Sequence, residues 1–357
     1  MYDYPVTDGF FFKEGFSSQF VKLVANQLRL SRGSLVLDPF LGVGTTLLTC
    51  RELGINSVGF DVSPLFVFIS EVKLRDYDVD ELRRVRDEIF SIKFEKPEVK
   101  VSGFLRNLYP KPVLEDLFFF KGLISKISDE EVRDFFTLAL MVAAEKSSYM
   151  MRDGAVIKIV KNKPRIPSLR KAYRIMVNRM IDDVEKLPLT DASVKAMVGD
   201  ARRMESVETE SVDAVITSPP YLNKIEYTRC YWPEYEIFFP HISHTGIRSY
   251  LSMRPDDVEL SMLGGDAPLV AELYFEDMEK VCGEVYRVLK PGGAAVMVVG
   301  GGVFPDKVIQ VDVAVAEIAE RCGLNVERIV AVNKRVAAVD RVRKIGESRE
   351  SIIYLRK

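Results

Sequence analysis

Apolar and polar positions follow two rhythms along this chain. From Phe16 to Leu30, the residues Phe20, Leu23, Val24, Gln27 and Leu28 recur at helical spacing until Ser31-Arg32-Gly33 breaks the pattern. Ser34-Leu35-Val36-Leu37 then reads as a short strand, residues 38–44 as a loop, and residues 45–53 as a helix closed by Gly54. A second strand, residues 57–60, stops at Asp61, which closes a βαβ unit of ordinary size. From about Leu74 to Pro188 the rhythm is helical, with charged runs such as residues 80–88 and aromatic ones such as residues 117–120.

The α/β rhythm resumes at residues 194–198 before Gly199-Asp200, and at residues 212–217 before Ser218-Pro219-Pro220-Tyr221. A helix over residues 275–289 leads through Lys290-Pro291-Gly292-Gly293 to a strand at 294–299, and a helix over 311–322 is closed by Gly323. Residues 326–332 and 351–355 read as closing strands. The pattern predicts a doubly wound α/β sheet formed by residues 1–73 and 189–357, with residues 74–188 inserted as a helical region.

Composition narrows the class. The 357 residues are 47% hydrophobic and 29% charged, enough to bury a sizeable core. Lysine and arginine number 50 against 52 acidic residues, so a nucleic-acid partner would be met by local patches and not by bulk charge. The strongest patch is Gly154 to Ile181, with Lys158, Lys161, Lys163, Arg165, Arg170, Lys171, Arg174 and Arg179 and no acidic residue. It reads either as a solvated basic face or as contact with a polyanion. Four separated cysteines and two histidines give neither a disulfide framework nor a metal site. Apolar runs such as residues 292–302 fall short of the roughly 20 residues that span a bilayer, and no basic leader precedes them, so a cytoplasmic chain without membrane contact is expected.

In such a sheet, ligands bind beyond the carboxyl ends of the strands, where Asp38, Asp61, Asp200 and Ser218 fall. Gly42 and Gly44 let the backbone approach a ligand, with a helix N-terminus behind them. Asp61 is placed to accept ribose hydroxyls and Asp200 an exocyclic amine, which together suggest adenosine. A nicotinamide enzyme would also use a glycine loop, but Leu47 stands where G-x-G-x-x-G has its third glycine, which favours a ligand without a pyrophosphate.

Asp38-Pro39-Phe40-Leu41-Gly42-Val43-Gly44-Thr45 together with Thr217-Ser218-Pro219-Pro220-Tyr221 resembles the paired signature of the S-adenosylmethionine-dependent amino methyltransferases of nucleic acids, in their cytosine-N4 branch. Gly59-Phe60-Asp61 and Val198-Gly199-Asp200 lie between them in that family's order. The resemblance implies the Rossmann-like sheet of class I methyltransferases and S-adenosylmethionine as cofactor. It implies that Asp38, Pro39, Phe40, Gly42, Gly44 and Thr45 surround the methionine part, Asp61 holds the ribose, Asp200 with Ala201 holds the adenine, and Lys13 lies in a further cofactor-contacting segment. Residues 74–188 lie outside the resemblance.

The chemistry explains the second motif. The N4 amine of cytosine is a poor nucleophile because its lone pair is delocalised, and Ser218 Oγ and the Pro219 carbonyl can accept its two N–H bonds and align that lone pair. Pro219 and Pro220 stiffen the loop, and the Tyr221 ring offers a face to an extruded base. Methylation at cytosine C5 would need a cysteine nucleophile, typically after a proline, and no cysteine here follows one. In the family, Ser at the first position accompanies cytosine N4, whereas Asp or Asn accompanies adenine N6, guanine N2 or a protein glutamine, which stay as alternatives. The polymer is DNA or a structured RNA such as ribosomal RNA or its particle. Asn223 and Arg229 in the aromatic segment after Tyr221, with Lys161, Lys163, Arg165 and Arg170, are the expected nucleic-acid contacts. Lys334, Arg335, Arg341, Arg343 and Lys344 would extend a cationic rim.

Overall fold

The computed structural model describes residues 16–153, 156–162, 166–222, 230–242, 269–304, 306–339 and 343–357. Ser17 caps helix α1 (Ser18–Gln27) by accepting the Phe20 N–H at 3.3 Å. Strand β1 (Leu35–Asp38) leads through the glycine loop into α2 (Thr45–Leu53), and β2 (Asn56–Asp61) leads into α3 (Pro64–Leu74). Then come α4 (Val79–Ser91), α5 (Gly103–Leu108), α6 (Lys111–Ile124) and α7 (Glu130–Lys146). Strands β3 (Met150–Asp153) and β4 (Val156–Ile159) precede α8 (Leu169–Lys186). The sheet resumes with β5 (Val194–Val198) and β6 (Val212–Thr217), followed by α9 (Trp232–Phe238), α10 (Leu269–Val288) and β7 (Leu289–Gly300). The chain closes with β8 (Gly302–Val303), β9 (Val308–Ile309), α11 (Val311–Arg321), β10 (Asn325–Val339) and β11 (Arg343–Arg356).

Two compact units emerge among the described residues. One comprises the described parts of Glu14–Val67, Leu189–Thr228 and Ser243–Lys357, and holds the sheet. The other comprises those of Phe68–Pro188 and Arg229–Ile242.

The sheet has seven strands in the order β10-β11-β7-β6-β1-β2-β5. From β5 to β7 all pairs are parallel, while β11 is antiparallel to β7 and β10 to β11. Successive β1 crossovers run outward on either side, so the order reverses between β1 and β6 and a crevice opens at their carboxyl ends. Both faces are covered, which is why these strands are continuously apolar. Val36, Ala214, Ile216 and Val296 pack with Val21, Val24 and Ala25 of α1. The alternate residues Leu37, Val215, Ala295 and Met297 pack with Met278 and Val281 of α10 and Val315 and Ile318 of α11. The expected Rossmann-like sheet is present.

The second unit buries aromatic side chains, with Phe120 and Tyr173 in edge contact at 5.0 Å and Phe90 beside Phe120 at 5.7 Å. Two expectations need correction. The inserted region is not helical throughout, because β3 and β4 pair as an antiparallel hairpin in which Met150 faces Ile159. The β-branched run Val156-Ile157-Lys158-Ile159 prefers extended backbone, so the basic stretch is split between a strand and α8. The closing strands are also longer than their expected spans of 326–332 and 351–355, because pairing continues from Asn333↔Glu350 to Val339↔Arg343 with polar and small residues mixed.

Candidate functional site

Asp38 ends β1 and is buried. Its Oδ2 accepts the Thr46 hydroxyl at 2.6 Å, and its Oδ1 accepts the Thr217 hydroxyl at 2.7 Å and the Phe40 N–H at 3.1 Å. One carboxyl thereby joins β1, its own loop, α2 and β6. Burial pushes it up to about 6, against the pull of these three donors.

The loop between β1 and α2 turns on Gly42 (φ 51°) and Gly44 (φ 83°), both left-handed, a conformation that favours glycine. Gly44 begins α2 without a side-chain cap, which leaves first-turn N–H groups available to an anionic ligand. Asp61, at the tip of β2, braces this loop: its Oδ2 accepts the Gly42 N–H at 2.9 Å and its Oδ1 the Ser63 N–H at 2.8 Å. Burial pushes Asp61 up to about 7; the two N–H groups oppose this and the neighbouring Asp38 charge adds to it. Each oxygen keeps a second lone pair for a ligand hydroxyl.

Asp200 follows β5. Its carboxylate accepts the Arg202 N–H at 2.9 Å and the Arg202 guanidinium on both oxygens, with Nη2 to Oδ2 at 2.7 Å. Asp277 of α10 holds the same guanidinium at 3.0 Å. Burial would raise Asp200, but Arg202 more than reverses this and the carboxyl lies below its usual range. Ala201 is buried in the core cluster with Phe60 and Met204.

After β6, the Ser218 hydroxyl donates to the Val298 carbonyl at 3.1 Å. That bond uses the hydroxyl's one proton, so Ser218 Oγ offers an incoming N–H only lone pairs. The Tyr221 hydroxyl donates to Glu350 Oε1 at 2.5 Å, and its ring lies so close to Gly300 that a Cβ there would come within 2.5 Å of Cδ2. Hydroxyl and ring face are both fixed by the antiparallel side of the sheet.

The structure thus gathers Asp38, the glycine loop, Asp61, Asp200 and the Ser218–Tyr221 loop at the carboxyl edge of one sheet. Thr46, Arg202, Asp277, Gly300 and Glu350 complete the arrangement and were missed by sequence reasoning. Only Thr46 and Arg202, which neighbour the motifs, left a local signal. Lys13, Lys163, Arg165, Asn223 and Arg229 lie outside the described residues. Lys161 is exposed on the second unit, but the Arg170 guanidinium lies over the Phe119 and Phe120 rings at 5.6 and 5.1 Å, so packing engages a charge that sequence reading assigned to nucleic acid. Among the described residues no His, Cys, Asp or Glu cluster could hold a metal, and no helix is long and apolar enough to cross a membrane.

Comparison with known proteins agrees with this geometry. The N6 and N4 family described as DNA methylase matches residues 18–71, the stretch from α1 through the glycine loop and Asp61. The Type II methyltransferase M.BsoBI of Geobacillus stearothermophilus is 25% identical over 406 residues, covering 91% of this chain and 79% of that protein. By these matches the chain is similar to S-adenosylmethionine-dependent DNA amino methyltransferases. The Type II methyltransferase M.AvaI of Nostoc sp. is 24% identical, covering 90% of this chain and 80% of that protein. A solved TehB-like SAM-dependent methyltransferase from Corynebacterium glutamicum covers 96% of this chain and 89% of its own at 11% identity and a TM-score of 0.36. The matched segment runs through β1, the glycine loop and β2, and Ser218 and Tyr221 follow β6 on the other side of β1.

Proposed function

We propose that this methyltransferase modifies the exocyclic N4 amine of cytosine in DNA, inside the cytoplasm. The observation that carries the reading is the Ser218 hydroxyl donating to Val298 O, which presents the serine oxygen as an acceptor. An exocyclic amine is a donor, so the polarity suits it. DNA is favoured over ribosomal RNA because the matched family is described as DNA methylase.

S-adenosylmethionine, when bound, supplies an electrophilic methyl group on a sulfonium. The remaining work falls to this chain. The left-handed glycines and the uncapped start of α2 fit the amino-acid moiety, with Pro39, Phe40 and Thr45 lining the same turn. Asp61 accepts ribose hydroxyls with its spare lone pairs. Asp200 would hold the adenine amine, which would share the carboxylate with Arg202 or displace it.

Ser218 Oγ and the Pro219 carbonyl accept the two amine N–H bonds and turn the nitrogen lone pair toward the cofactor, while the Tyr221 ring supports the extruded base. In-line attack by that lone pair on the sulfonium methyl would form the N–C bond as the S–C bond breaks, leaving the neutral thioether, with one amine proton released to solvent water. The test is methyl transfer to duplex DNA by Ser218→Ala and the native enzyme under single-turnover conditions. Ser218→Ala should slow transfer about 10- to 100-fold with cofactor affinity kept. An unchanged rate would remove Ser218 from the reaction.

A further inference from the structure

The last two strands overrun the sheet to which they belong. Strand β11 pairs with β7 only from Glu350↔Gly300 to Arg356↔Ala294. Because β11 runs antiparallel to β7, residues 343–349 continue beyond Gly300, the last residue of β7. They remain paired with β10 from Lys334↔Arg349 to Val339↔Arg343. Since β7, β6 and β1 are parallel, the overrun passes the same edge on which Asp38 and Ser218 stand. Seven residues at about 3.3 Å each make a two-stranded ribbon that runs on for roughly 20 Å.

The ribbon is also selective in charge. The described strands of the ribbon carry Lys334, Arg335, Arg343, Lys344 and Arg349 against the single acid Glu347, which Lys344 bonds at 3.1 Å, so Lys334 and Arg335 are its outward cations on β10. Asn333, Lys334, Arg335 and Val336 are all exposed, as is Lys344. The root of the ribbon belongs to the reaction site, for Glu350 pairs with Asn333 and accepts the Tyr221 hydroxyl.

Resting on the reading above, we propose that this ribbon grips duplex DNA beside the target base, with Lys334 and Arg335 neutralising backbone phosphates. A two-stranded ribbon fits the roughly 12 Å major groove of B-form DNA. Phosphate contacts give affinity without sequence choice, and each one adds about 0.9 to the slope of log affinity against log salt. The ribbon thereby supplies on the catalytic unit the cationic contact that sequence reading assigned to the inserted region.

The experiment measures binding of a fluorescent duplex oligonucleotide across a salt series by the native enzyme, Lys334→Ala/Arg335→Ala and the charge-preserving Lys334→Arg/Arg335→Lys. Cofactor binding by calorimetry and thermal unfolding are recorded alongside. The alanine pair should lower the salt slope by about 2 and weaken duplex binding at least tenfold at low salt, with cofactor affinity unchanged and the charge-preserving pair close to native. Unchanged duplex affinity and slope in the alanine pair, with the native enzyme active on DNA, would overturn the ribbon's role and leave the proposed function standing. A native enzyme that binds cofactor but neither binds nor methylates duplex would overturn that function as well. A native enzyme that dimerises in sedimentation, with the dimer abolished by Val332→Lys and duplex affinity untouched by the alanine pair, would assign the ribbon to a second copy of the chain instead.

Discussion

At Asp61, two backbone N–H groups hold a carboxyl that burial pushes up to about 7. A carboxylate accepts ribose hydroxyls better than its protonated form, so S-adenosylmethionine should bind more tightly as pH rises from 6 to 8. Calorimetry on Asp61→Asn should show weaker binding and a flattened profile; a native profile that falls over this range would contradict the assignment. Asp38, pushed up to about 6, shifts in the same direction. Both groups hold their protons more tightly folded than unfolded, so their stabilising contribution is full below about pH 4 and is lost as pH rises through 6 to 7. Denaturant unfolding of the cofactor-free enzyme should record a loss on the order of 7 kcal/mol from this pair as pH rises from 4 to 7, and a gain would refute the burial argument. Removing the Asp38 acceptor altogether leaves the Thr46 and Thr217 hydroxyls without it, so Asp38→Ala should cost about 2–4 kcal/mol by the same measurement. The strand-end positions of Asp38 and Asp61 were legible in the sequence, whereas their titration was not, because it depends on what the fold stacks around them.

Among the elements, β7 acts through a glycine. Gly300→Ala would drive a Cβ into the Tyr221 ring, whose hydroxyl is held by Glu350. Neither end of the ring can yield freely, so the variant should turn over more slowly and lose about 1–3 kcal/mol of stability, read by single-turnover kinetics and thermal unfolding. Native kinetics would mean that the ring is free to move. Gly59 makes a similar approach on β2, where a Cβ would meet Leu41 Cδ1 at 2.8 Å and the Asp38 carbonyl at 3.1 Å. The apolar runs of β1, β2, β6 and β7 were readable because both sheet faces are covered. Glu350 could not be tied to Tyr221 from the sequence, since 129 residues separate them. The length of β10 and β11 escaped for a different reason: residues 327–336 are exposed on both faces, so no alternation of apolar and polar positions marks them as strand.

For the molecule as a whole, each of the two units carries a fixed ionic centre. In the sheet unit it is Asp200, Arg202 and Asp277. In the helical unit, Arg152 bonds Glu145 at 2.9 Å and the buried Glu234 at 2.5 Å, donates to the Cys230 carbonyl, and lies over the Tyr231 ring at 4.2 Å. Burial pushes the Glu234 carboxyl up despite this partner. Arg152→Met should destabilise that unit by about 3–5 kcal/mol in calorimetric unfolding, because Glu234 would be left charged and uncompensated. A loss below 1 kcal/mol would show that Glu234 is neutral there. The helical rhythm over residues 74–188 carried no local signal that residues 230–242 join the same compact unit as residues 68–188, a join made by Arg152 across 82 positions. Duplex DNA is incubated with labelled S-adenosylmethionine and the native enzyme, digested, and its nucleosides resolved by mass spectrometry. Label in N4-methylcytosine, lost in Ser218→Ala, is the predicted result; label in N6-methyladenine, or in RNA but not in DNA, would contradict it.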